Sequence, residues 1–354
     1  MTVPRTEAKH EHAEPLRVAV VGGGAWGTTL CALASAGGAT TLWAREPEVV
    51  SAIRDDHQNH AFLPGFELPP AMHATSELEA ALNGADIVVV AVPCQHLRAV
   101  MASAHRWITD KMLIVSVAKG IEVSSSKRMT EVLIDVLPKV SPHAIGVLAG
   151  PNLALEVIAG HPSATTVAFT DPVAAATIQL RLAGPTFRVY TSTDVVGCEI
   201  GGAAKNVIAI AAGVANGLGC GMNTMAVLVT RGLAEVARLG VALGGDPLTF
   251  LGLAGNGDLI ATCLSPLSRN QRVGHELAAG RKLEDILGCM TSVAEGVTTA
   301  PVIVDLARRH NVEMPIAETV AAVLDAQIAP RDAIKTLMGR QLRPELHGLR
   351  GEAP

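Results

Sequence analysis

The chain reads as an α/β protein, a doubly wound sheet followed by an all-helical second domain, and three features predict this. Short apolar runs alternate with helix-like segments from Arg17 to about Thr193. A glycine-rich turn joins the first run to the first helical segment. Strand signals then stop at Asp194, beyond which Ala, Gly and Leu recur at helical spacing.

The 354 residues correspond to about two domains at roughly 150 residues each. With 49% hydrophobic and 17% charged residues the chain has the opposite of a disordered composition. A net charge of −5 and only five Phe, three Trp and one Tyr exclude a basic or base-stacking nucleic-acid surface. The six cysteines include no CxxC pair, which argues against a disulfide framework or zinc site and for a reducing cytoplasm. His57, His60 and His105 lack carboxylate or cysteine partners at useful spacing, so no metal is expected.

The polar N-terminus, residues 1–16, has no apolar core of a secretory signal and reads as a disordered leader, with His10 and His12 solvated. The strand runs follow in order: RVAVVG, ATTLWA, ADIVVVAVP, MLIVSVA and AIGVLAG, then ATTVAFT and FRVYTST as mixed edge strands. The middle runs are continuous, as parallel strands buried on both faces require. Helices are expected between them, for instance at Thr28 to Ala36 and Ser76 to Leu82. Asn206 to Thr230 is a 25-residue run without charge, long enough to span a bilayer. Glycines at 213, 217, 219 and 221 divide it, so two buried helices around a glycine turn are expected, the first over about Val195 to Asn216. Breakers at 244–247 and 265–268 punctuate the rest, and residues 343–354 form a frayed polar tail.

Gly22, Gly24 and Gly27 satisfy GxGxxG between the strand RVAVV and the helix TTLCALASA. Gly22 allows the tight turn, Gly24 lets the backbone approach a pyrophosphate, and Gly27 packs the helix on the sheet. This makes residues 17–193 a Rossmann-type dinucleotide-binding domain, leaving 194–342 as a helical substrate domain. After the second strand Arg45 suits a 2′-phosphate, whereas Glu46 keeps a ribose-diol contact open.

Two of only eight lysines lie in apolar surroundings. Lys119 ends a strand run, where an open α/β sheet faces its ligand crevice. Lys205 interrupts GGAAKNVIAIAAGVA; Glu199, six residues back, is not at a helical contact spacing. A buried lysine without a task is costly, which points to function. Asp258 follows the turn Gly255-Asn256-Gly257, and Ser268, Arg269 and Asn270 offer hydroxyl, guanidinium and amide donors suited to an oxyanion.

The segments GGGAWGTTL, LWARE, VPCQ, SVAKGIE, AGPNLALEV, EIGGAAKNVIAIAAG, GLAGNGDLIATC, SPLSRNQRVG and VAEGVTTA, in this order, resemble the bacterial NAD(P)-dependent glycerol-3-phosphate dehydrogenases. The resemblance runs from about residue 17 to 325. It implies reversible reduction of dihydroxyacetone phosphate to sn-glycerol 3-phosphate by NAD(P)H, supplying phospholipid backbones. It also implies Lys205 as proton donor and acceptor, Lys119 touching substrate and cofactor, and Asp258 in the catalytic group. Gly150, Asn152, Lys205, Asp258, Ser268, Arg269 and Asn270 would line the substrate site. Ala25, Trp26, Arg45, Ala154, Arg269, Val293 and Glu295 would contact the dinucleotide. The chain departs from the family's usual GPSFA, placing Asn152 where a serine is common and Leu155 where a lysine is, and Asn256 stands in the turn before Asp258.

Small residues Gly201, Gly202, Ala203 and Ala204 are expected to let the helix backbone approach nicotinamide and substrate. Two other readings compete: a two-domain dehydrogenase acting on a carboxylate such as ketopantoate or a hydroxyacid, and a dinucleotide sensor without chemistry. The Ser268–Arg269–Asn270 cluster with Lys119 favours a phosphate over the first. Retention of Lys119, Lys205 and Asp258 weighs against the second. The apolar helical domain leads to the expectation of a homodimer without transmembrane segment.

Overall fold

The computed structural model describes residues 15–290, 293–342 and 344–345. Most of the expected leader, with His10 and His12, and most of the tail lie outside the described residues. One eight-stranded sheet has the order β3-β2-β1-β4-β5-β6-β7-β8. β1 (Val18–Val21) pairs in parallel with β2 (Thr40–Trp43) and β4 (Ile87–Val90), Val20 lying between Leu42 and Val89. β3 (Met72–Thr75), β5 (Leu113–Ser116) and β6 (Ile145–Ala149) continue the parallel part. β7 (Ser163–Ala168) runs antiparallel to β6, and β8 (Phe187–Ser192) parallel to β7, giving the mixed edge expected from the sequence.

The period of two along β1 separates two cores. Val18 and Val20 pack with Leu30 of α1 (Ala25–Ser35) and with Ile178 of α7 (Pro172–Leu182). Ala19 and Val21 pack with Leu97 and Met101 of α4 (Cys94–Ala104) and Leu133 of α5 (Met129–Val136). α2 (Pro47–Asp56), α3 (Leu78–Leu82) and α6 (Ala154–Ile158) complete the crossovers. Two helix starts shift from expectation: α1 begins at Ala25, inside the glycine turn, and α3 at Leu78. β3 was not anticipated, because MHAT has neither length nor apolar continuity. His60 meets a carboxylate after all, Asp56 at 3.3 Å, but both side chains are more than half exposed.

Asp194 marks the change of regime physically. Its carboxylate caps α8 (Val195–Gly217), accepting from the Gly197 N–H at 2.8 Å, and also takes bonds from the Asp246 N–H and the Thr249 hydroxyl. α9 (Met222–Ala242) follows after a short turn through Gly219, so the uncharged run is two helices. Among the described residues α8 is the one helix long and apolar enough to cross a membrane, and 89% of its most apolar stretch is buried within the fold. Around it stand α10 (Asp258–Leu264), α11 (Arg269–Ala278), α12 (Leu283–Gly288), α13 (Glu295–Arg309), α14 (Pro315–Leu324) and α15 (Pro330–Met338).

Candidate active site

The carboxyl ends of β1, β4, β5 and β6 lead into Gly22, Cys94, Lys119 and Gly150, all on the edge of the sheet that faces α8 and α10. At the β1 end Gly22 adopts φ +127°, which L side chains rarely tolerate. A Cβ on Gly27 would collide with the Gly22 carbonyl oxygen, so the α1 start lies tight against the turn. A Cβ on Gly24 would meet nothing within 4 Å, and no side chain caps α1. Open space in front of free helix N–H groups is what a pyrophosphate needs. The buried indole N–H of Trp26 has no partner among the described residues, and its ring meets Phe187 edge-on at 6.2 Å. Arg45 is exposed and paired with Glu46 at 2.6 Å, so the two candidate ribose-end groups occupy each other. Ala154 opens α6.

At the start of α13, Glu295 Oε1 accepts from the Cys94 N–H at 3.0 Å. Its Oε2 is buried without a partner, and burial pushes its carboxyl up. Val293 is exposed at 41%. These features make a cradle that fits a dinucleotide: a glycine turn with room, an unspent indole donor and an unspent carboxylate oxygen.

The charged groups meet beyond it. Lys205 donates to Asp258 Oδ1 at 2.7 Å and Lys119 to Asp258 Oδ2 at 2.8 Å, so one buried carboxylate bridges both lysines. Lys119 also donates to the Gly150 carbonyl at 2.7 Å; Gly150 sits at φ +152°. Asp258 is placed as the first residue of α10, after a π-helical turn over Leu253–Gly257. Burial pulls the Lys205 ammonium down to about 8; Asp258 holds it up and Lys119 pushes it further down. Glu199 is not the partner of Lys205: it pairs with Arg128 at 2.6 Å.

Two members of this group escaped sequence reasoning. The Thr262 hydroxyl, one turn after Asp258, accepts from Lys205 and donates to the Asp258 carbonyl at 2.6 Å. Asn206 donates to the Lys119 carbonyl at 2.9 Å and accepts from Asn270 at 2.9 Å. The i+4 spacing to Asp258 and adjacency to Lys205 were the available signals.

Asn270 also accepts from the Gly296 N–H at 3.0 Å. Ser268 caps α11, accepting from the Gln271 N–H at 3.3 Å. The Arg269 guanidinium makes no hydrogen bond among the described residues; burial lowers its pKa and Glu295 opposes that. Asn152 donates to Thr165 at 3.0 Å and leaves its buried Oδ1 unpaired. The small residues of α8 also pack against their own neighbours. A Cβ on Gly201 would strike the Ala254 carbonyl of the π turn, whereas at Gly202 it would lie 3.6 Å from the Lys119 stem, an ordinary contact. Ala203 and Ala204 belong to the helical core. The glycine thus seats the turn that aims Asp258.

Comparison with known proteins covers both parts of the chain. Residues 17–175 match the NAD-dependent glycerol-3-phosphate dehydrogenase N-terminus and residues 194–335 its C-terminus. The chain is 48% identical over 332 residues to glycerol-3-phosphate dehydrogenase [NAD(P)+] 2 of Sphingopyxis alaskensis, covering 94% of this chain and 99% of that protein. It is 50% identical to glycerol-3-phosphate dehydrogenase [NAD(P)+] of Corynebacterium glutamicum, covering 93% and 99%. The crystal structure of glycerol-3-phosphate dehydrogenase from Coxiella burnetii superposes with a TM-score of 0.87 at 33% identity, covering 92% of this chain and 99% of that one. The chain therefore belongs to the NAD-dependent glycerol-3-phosphate dehydrogenase family.

Proposed function

We propose that the protein is an NAD(P)-dependent sn-glycerol-3-phosphate dehydrogenase that reversibly reduces dihydroxyacetone phosphate, making the backbone of phospholipids. The carrying observation is the single carboxylate, Asp258, that holds Lys119 from the sheet and Lys205 from the helical part within hydrogen-bond distance.

A bound reduced nicotinamide supplies the hydride. Gly22, Gly24, Gly27, Ala25, Trp26, Ala154 and Glu295 would hold that cofactor, with Arg45 and Val293 at its rim. The chain's own task is the charge that develops on the ketone oxygen. Lys205 delivers a proton there and is left neutral, an exchange made easy by an ammonium that titrates near 8. Asp258 orients the ammonium, and Thr262 takes a second of its three N–H donors, leaving the third for the ketone oxygen. Lys119 adds a second positive charge and positions the substrate. In oxidation neutral Lys205 takes the hydroxyl proton back. Arg269, whose guanidinium makes no hydrogen bond among the described residues, with Ser268 and Asn270 at the α11 N-terminus, would grip the phosphate. Asn152 Oδ1, buried and unpaired among the described residues, would accept from a substrate hydroxyl.

The test is oxidation of NADH and of NADPH by purified protein with dihydroxyacetone phosphate, ketopantoate serving as control. Turnover with the phosphate alone supports the reading; turnover with ketopantoate alone overturns it. We also infer a cytoplasmic homodimer. The free cysteines support the compartment, and exposed Met222, Val227, Leu264 and Leu267 on the helical part support self-association. A monomeric mass by light scattering would refute the dimer.

A further inference from the structure

α8 carries two charges, Glu199 and Lys205, and both are buried. Lys205 serves the reaction proposed above. Glu199 lies six residues earlier, about 9 Å along the helix, and faces the start of α5. Its Oε1 accepts from the Thr130 N–H at 2.8 Å, and its Oε2 accepts from the Thr130 hydroxyl and from Arg128, each at 2.6 Å. A carboxylate of one helix therefore caps the N-terminus of another.

What lies between β5 and α5 gives this cap its importance. The connecting segment carries Lys119 and is tied down along its length. The Lys119 carbonyl accepts from Asn206 of α8. Ile121 is fully buried in the helical core beside Ile200. Gln95 of α4 donates to the Ile121 carbonyl at 2.9 Å and accepts from the Val123 N–H at 3.0 Å. Arg98 meets Glu122 at 2.9 Å. The far end of the segment is then fixed to α8 by Glu199. A buried ion pair contributes little net stability compared with an apolar pair, so a second buried charge in a helix uncharged but for Lys205 points to geometry.

We propose that Glu199 is a positioning residue: by tying Arg128 and Thr130 to α8 it sets the distance between Lys119 and Lys205, so that both reach Asp258. The inference rests on the dehydrogenase reading above. Glu199 touches neither substrate nor cofactor and acts through the segment it anchors. Three groups face Lys205 electrostatically: Asp258, Lys119 and Cys263. Of these only Lys119 moves with the anchored segment. Its withdrawal from Asp258 would remove a repulsion and let the Lys205 ammonium titrate higher.

The experiment compares full-length wild type, Glu199→Gln, Thr130→Val and Thr130→Ser in dihydroxyacetone phosphate reduction over pH, with NADH affinity measured by fluorescence. Glu199→Gln should lower kcat by roughly tenfold to a hundredfold, the scale of a small misplacement of reacting groups. NADH affinity should stay within about twofold, since the glycine turn is untouched. The pH midpoint of the reduction should move upward, which a loss of stability alone would not cause. Thr130→Ser keeps the hydroxyl and should behave as wild type, while Thr130→Val should show part of the loss and the shift. Folded Glu199→Gln with unchanged kcat and midpoint would overturn the proposal. Where that variant does not fold, unchanged kinetics in Thr130→Val would do so. A wild type inactive on dihydroxyacetone phosphate would overturn the dehydrogenase reading as well, whereas an active wild type with indifferent variants overturns the positioning role alone.

Discussion

Lys205 was legible as a residue because a charge in an apolar helix needs a reason, and its neighbours now give one. Replacing it with Met keeps much of the length and removes the ammonium. NADH binding should survive, while single-turnover hydride transfer should fall at least about a hundredfold; a near-normal rate would return the proton to Lys119 or water. The titration near 8 sets the pH response. In the proposed mechanism reduction needs the ammonium, so its rate should drop as pH rises through about 8, and oxidation, which needs the neutral amine, should rise over the same range. Rate profiles in both directions that lack mirrored midpoints would remove Lys205 from the proton path. Arg45 makes a separate prediction about the cofactor. It is exposed and engaged only with Glu46 among the described residues, so a 2′-phosphate must draw it away. Arg45→Glu should weaken NADPH use far more than NADH use. Equal losses would show that it does not read the phosphate. Thr262 stayed hidden in the sequence because a threonine in a helix is commonplace until its neighbours in space are known.

The helices hold these side chains through contacts between backbones. α8 and α11 cross where Gly213 faces the Gln271 carbonyl and Gly274 faces the Ile210 carbonyl, with no room for a Cβ at either. Gly274→Ala should cost about 1–3 kcal/mol by overpacking, measured by urea unfolding. It should also displace Arg269 and raise the KM for dihydroxyacetone phosphate. α9 and α14 are joined by a buried acid: Glu235 accepts from the Ile316 and Ala317 N–H groups, yet burial lifts its carboxyl to about 7. The backbone donors and Arg238 oppose that rise, and Glu318 adds to it. Because the folded value exceeds the ordinary 4.5, the unfolded chain loses this proton first. Stability should therefore fall as pH rises from about 4.5 to about 7, by on the order of 3 kcal/mol. Glu235→Gln should flatten that slope in denaturation curves at pH 5 and pH 8. The sequence announced the elements with strong local signals: the continuous strands β1, β4, β5 and β6, the glycine fingerprint and the division of the uncharged run into two helices. It did not announce β3, whose four residues are held by pairing with β2, nor the π turn, whose shape comes from Gly201 against Ala254. Both depend on partners distant along the chain.

In the whole molecule the sheet cores and the helical core meet at the charged group, which explains why its residues come from widely separated positions. Order along the sequence could nominate Lys119, Lys205 and Asp258, but only the packing of α8 across the strand ends makes Asp258 common to both lysines. Ile121 is the apolar counterpart of that junction: it leaves β5 two residues after Lys119 and is fully buried with Ile200 and Ala203 in the helical core. Its truncation tests whether the two parts act as one body. Ile121→Ala should cost about 2–5 kcal/mol as a core cavity. Since the cavity opens beside the Lys119 segment, turnover of the folded protein should fall as well. Leu239→Ala provides the control: that side chain is equally buried in the same core but lies on α9, away from the strand ends. It should lose comparable stability while the folded enzyme keeps its kcat. Calorimetry with kinetics below both midpoints separates the two effects. Equal kcat in the two variants would mean that Ile121 only fills space, and that the bonds from Asn206, Gln95 and Glu199 hold Lys119 without it.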